Sequence, residues 1–156
     1  MNAFKIVICG ESGVGKTAYV RKLLTGEFER THVSTLGVEV HPLVVKTNIG
    51  TLVFALWDLA GRAEFRGMGD MYFTGADAAI VVRTEDMERG NCGWEGGMRE
   101  RKFGGYITVV NKCDANKPRG EEIYISTRND GKRELLAPFL VLGRKLTGRE
   151  DLVFLE

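Results

Sequence analysis

The chain has 156 residues, 44% of them hydrophobic, and a formal net charge of +1. That length and apolar content suit one domain with a real core and exclude a disordered chain. The near-neutral charge excludes a global field that draws the protein to nucleic acid or to a membrane surface, and no apolar run reaches the roughly 18 residues needed to span a bilayer.

In chain order, residues 4–9 are apolar and run straight into a glycine-rich turn without a cleavage site. They predict a first strand, not a signal peptide. Val20, Leu23 and Leu24 then mark the apolar stripe of a helix. Strands are predicted at 39–45 and 51–57, joined by the short turn 46–50 with its Asn48 and Gly50, which predicts an antiparallel hairpin. Further strands are predicted at 78–82, 107–110 and 123–125. Leu135, Phe139, Leu142 and Leu146 recur at helical spacing and predict a final amphipathic helix, with Pro138 in its first turn, where a missing N–H does little harm. Alternating strands and helices predict an α/β fold with a mostly parallel six-stranded sheet and helices on both faces. Residues 1–156 are expected to form a single domain.

Two connections are reduced. Of the 20 glycines, many crowd residues 90–105, where a crossover helix is expected. Each interior glycine costs a helix about 1 kcal/mol relative to alanine, so at most a short helix over 94–103 is expected. Residues 115–122 are too few for a covering helix, although an extended stretch of that length still reaches about 26 Å. One crossover helix is therefore expected to be lost. The three cysteines, Cys9, Cys92 and Cys113, lack metal-ligand spacing. They are expected to be reduced thiols. Asn2 and the cysteine-free last residues give no lipidation signal, so a soluble protein without a lipid anchor is expected.

Three motifs carry chemistry, each after a predicted strand. Residues 10–17, GESGVGKT, fit the phosphate-binding pattern G-x-x-x-x-G-K-[ST] and open a helix. There the backbone around Ser12, Gly13, Val14 and Gly15 can wrap a phosphate, and Thr17 and Ala18 add the helix N-terminus. Lys16 can reach the β- and γ-phosphates, and the Thr17 hydroxyl can bind Mg²⁺. Asp58, with Gly61 after it, stands at a strand's end, where the carboxylate can hold a metal through water and the Gly61 amide can sense a γ-phosphate. Asn111, Lys112 and Asp114 end the fifth predicted strand. A carboxylate at Asp114 can accept from N1–H and the 2-amino group of guanine, a pair that adenine lacks.

These motifs, in this order, resemble the Ras superfamily of small GTPases, P-loop NTPases with the small G-protein fold. The likeness is to the Ran branch, the GTPases of nuclear transport. It is carried by residues 24–28 (LTGEF), 34–43 (STLGVEVHPL), 47–48 and 56–58 (LWD), and by 138–140 and 144–148 near the end. It is dense over residues 4–82 and 133–155 and poor between 84 and 132. The resemblance implies GTP or GDP with Mg²⁺ as ligands. Thr35 would be the first-switch threonine that joins Mg²⁺ when a γ-phosphate is present, and Phe28 the aromatic against the guanine. Ser126, Thr127 and Arg128 look like a degraded form of the loop that backs the base. Importin-type transport receptors and Ran regulators are the implied partners, through switch segments 31–35 and 60–73. A monomer in nucleus and cytoplasm is implied, with no nucleic acid and no membrane among its partners.

Departures from the family bear on mechanism. The switch glutamine, which orients the attacking water, is Arg62 here. Arginine has no acceptor for the water's proton. Hydrolysis slower than the family's rate, on the order of 10⁻⁴ per second, is expected. The alternative is that Arg62 serves as an internal arginine finger. Ser12 stands where the branch has glycine, and His32 replaces its switch tyrosine. The branch's basic segment after the guanine motif is absent, and its C-terminal acidic tail has no counterpart before Glu156, so weaker discrimination between nucleotides by a receptor is expected. Lys16, Thr35, Gly61 and Arg62 form the expected catalytic set, and Thr17, Thr35 and Asp58 the expected metal set. A GTP-loaded mimic without turnover and a decayed copy that folds poorly are the rival readings.

Overall fold

The computed structural model describes residues 2–10, 16–24, 31–33, 38–59, 75–84, 106–111, 123–124 and 132–155. The central strand is β1 (Asn2–Gly10), followed by α1 (Lys16–Leu23) and the short β2 (Thr31–Val33). The hairpin comprises β3 (Val38–Thr47) and β4 (Gly50–Leu59). Then come β5 (Ala78–Thr84), β6 (Tyr106–Asn111), β7 (Ile123–Tyr124), α2 (Lys132–Thr147) and β8 (Phe154–Leu155).

These strands form one sheet in the order β2-β3-β4-β1-β5-β6-β7, with β8 also on β3. β1 runs parallel to both β4 and β5, and β6 and β7 continue in parallel beyond β5. β3 is antiparallel to β2, β4 and β8. β5 is an apolar run, Ala78 to Val82, fully buried on both faces, as expected of a strand flanked by parallel neighbours. β3 and β4 instead alternate. Leu43 and Val45 point inward with Leu52, Phe54 and Leu56, while Pro42, Val44 and Lys46 are exposed.

Both described helices pack on one face of the sheet. Tyr19, Val20 and Leu23 of α1 and Leu135, Phe139 and Leu142 of α2 join Ile6, Ile8, Phe54 and Ile80 in one core. The buried Tyr19 hydroxyl donates to the Leu135 carbonyl at 2.7 Å and ties the helices together. Phe54 is the aromatic hub, with ring centroids 5.5 Å from Phe139, 6.2 Å from Phe4 and 6.4 Å from Phe154. Gly143 lets α2 approach closely, since a Cβ there would lie 2.9 Å from Leu152 Cδ2. Asn48, in the hairpin turn, donates from Nδ2 to the Asp151 carbonyl at 3.0 Å and accepts from the Val153 amide at 2.9 Å, holding β8 onto β3.

Several expectations change. All six predicted strands are present, but β2 and β8 bring the sheet to eight. Both are too short to give a periodic signal and form by pairing with the long β3. The sheet is mixed: β1, β4, β5, β6 and β7 run parallel, and every antiparallel pairing involves β3, whose hairpin with β4 was expected. Pro138 lies inside α2, not in its first turn. Full burial of Leu135 draws the helix start back, and the Glu134 carbonyl that loses its i+4 donor belongs to an exposed residue. The helices predicted for the second face, the short helix at 94–103 and the connection 115–122 lie outside the described residues. No helix among the described residues is long and apolar enough to cross a membrane.

Candidate functional site

Register gathers at one edge the strand ends that lead into the motifs. Ile8 pairs with Asp58, Gly10 with Val82, and Thr84 with Asn111, so the carboxyl ends of β4, β1, β5 and β6 lie side by side. β1 has β4 on one side and β5 on the other, a point where the chain order reverses. Open α/β sheets bind ligands beyond the carboxyl ends of strands at such a point.

Lys16 is the first residue of α1 and Asp58 the next-to-last of β4. Lys16 Nζ donates to Asp58 Oδ1, and both side chains are buried. Withdrawing two charges from water costs several kcal/mol per ion, and only close pairing offsets it. The pair therefore marks a place made for charge, not for packing. An anionic phosphate would offer Lys16 an alternative partner, and the Asp58 carboxylate would then face a cation. A carboxylate oxygen freed of the ammonium suits a hard ion such as Mg²⁺.

Two side chains beside this pair were not singled out from sequence. Glu39 is the register partner of Asp58, and His41 lies two residues on along the same inward face. His41 Nε2 lies 3.2 Å from Glu39 Oε2, and its Nδ1 is buried with no hydrogen-bond partner among the described residues. One ligand atom from each of Glu39, His41 and Asp58 lies within 4.8 Å of the others. The signal available in the sequence was the alternation Glu39, His41, Leu43, Val45, which places two ionisable groups on a face that is otherwise core.

Of the predicted site residues, the structure brings Lys16 and Asp58 together. Thr17 and Ala18 follow Lys16 in the first turn of α1, and Asn111 closes β6. Ser12, Gly13, Val14, Gly15, Phe28, Thr35, Gly61, Arg62, Lys112, Asp114, Ser126, Thr127 and Arg128 lie outside the described residues.

Residues 5–114 match the family described as Roc, "Ras of Complex, Roc, domain of DAPkinase". The matched stretch starts in β1 and ends on Asp114, so it takes in all three motifs and most of the sheet. The chain belongs to the Roc family. Roc domains lie within the Ras-like GTPase superfamily, whose members have the P-loop GTPase fold, bind GTP and GDP with Mg²⁺ and are in general GTPases. The gathering of Gly10, Lys16, Asp58 and Asn111 at one edge suits a Roc domain. β7, α2 and β8 lie beyond the matched residues, and the match carries nothing specific to the Ran branch.

Proposed function

We propose that this chain is a single G domain that binds GTP and GDP with Mg²⁺ and hydrolyses GTP slowly. The supporting observation is that Gly10, Asp58 and Asn111, at the ends of the strands that lead into the three motifs, share one carboxyl edge, with Lys16 beside Asp58. In this reading the loop through Ser12, Gly13, Val14 and Gly15 wraps the β-phosphate and Lys16 leaves Asp58 for the phosphates. Thr17, Thr35 and Asp58 hold the metal. Mg²⁺, when bound, neutralises charge on the phosphate oxygens. Asn111, Lys112 and Asp114 read the guanine. Phe28, Ser126, Thr127 and Arg128 enclose it.

Arg62 stands where the superfamily's switch glutamine orients the attacking water, so turnover is slow. The sequence likeness to the Ran branch supports a role in nucleocytoplasmic transport, in nucleus and cytoplasm, with importin-type receptors and Ran regulators as partners of a monomer. A second reading, favoured by Arg62, is a GTP-loaded mimic that occupies such receptors without turnover.

The test is to load the protein with GTP and Mg²⁺ and follow the bound nucleotide by chromatography. Slow conversion to GDP is expected, accelerated on the order of tenfold in Arg62→Gln. Unchanged hydrolysis in that variant sinks the lost-glutamine account. Persistent GTP favours the second reading, and no retained guanine nucleotide refutes both.

A further inference from the structure

We draw no further inference here: the strongest candidate, the outward face of the β3–β4 hairpin, where Val44 and Leu155, the β8 partner of Lys46, are exposed, carries nothing because nothing in the structure shows what covers it.

Discussion

The inward face of the β3–β4 hairpin divides into two halves. At the turn end Val45 pairs with Leu52 and Leu43 with Phe54; at the other end His41 pairs with Leu56 and Glu39 with Asp58. The first half is packed hydrocarbon around Phe54, and the second holds buried His41 and Asp58 with a half-buried Glu39, Asp58 being paired with Lys16. The same two strands, with unbroken pairing, thus serve as core at one end and as chemistry at the other. Stability concentrates in the first half, where burial is compensated by contact alone. The second half holds desolvated charge that a packed apolar set would replace at no loss of stability.

Substitutions in the two halves separate these roles. Phe54→Ala has the largest expected effect, about 4 kcal/mol in urea denaturation, since it empties the aromatic hub. A cost under about 1 kcal/mol would show that the turn end is not the core. Lys16→Met should cost about 3 kcal/mol by stranding the buried Asp58 carboxylate. Adding Asp58→Leu should restore stability to the parent level or above while guanine-nucleotide retention stays lost. If the double variant is no more stable than Lys16→Met, the pair is part of the core after all.

Gly143→Val adds bulk where Leu152 Cδ2 would lie only 2.9 Å from a Cβ, and should cost about 2 kcal/mol by overpacking the turn end. Nucleotide affinity should not move. The smallest effect is expected at the helix pair. Tyr19→Phe deletes the hydrogen bond to the Leu135 carbonyl and should cost about 1 kcal/mol. Burial also pushes the Tyr19 phenol well above its ordinary value of 10.0. Below pH 10 the phenol is protonated in both folded and unfolded chains, and its contribution is complete. Above pH 10 the unfolded chain ionises while the folded one does not, so stability falls as pH rises further. Denaturation curves of parent and Tyr19→Phe should converge there, and parallel curves would contradict this account.

Much of this division was legible in the residues. Val20, Leu23, Leu135, Phe139 and Leu142 gave the helix stripes through spacing alone, and the run from Ala78 to Val82 read as a strand. Gly10, Asp58 and Asn111 stood at strand ends, which is where the register places them, and Lys16 opens the helix after the first strand. β2 and β8 were not legible, because two or three residues carry no period and form only against a partner already in place. The inward start of α2 was missed because Pro138 reads locally as a first-turn residue, while burial of Leu135 is a tertiary effect. Glu39 and His41 were missed because their nearness to Asp58 follows from the hairpin register, which residue spacing alone does not set.

Pro42 carries one further consequence. The outer edge of β3 is covered by β2 at one end and by β8 at the other, and Pro42 falls between those short strands with its side chain exposed. Proline in a sheet turns its nitrogen away from the ladder, so this stretch of edge lacks a donor that an incoming chain would need. Beside it Val44 is 51% exposed and Lys46 is exposed as well. No described strand covers that stretch, and the missing donor together with the Lys46 charge opposes edge-to-edge pairing through β3, one of the two longest described strands.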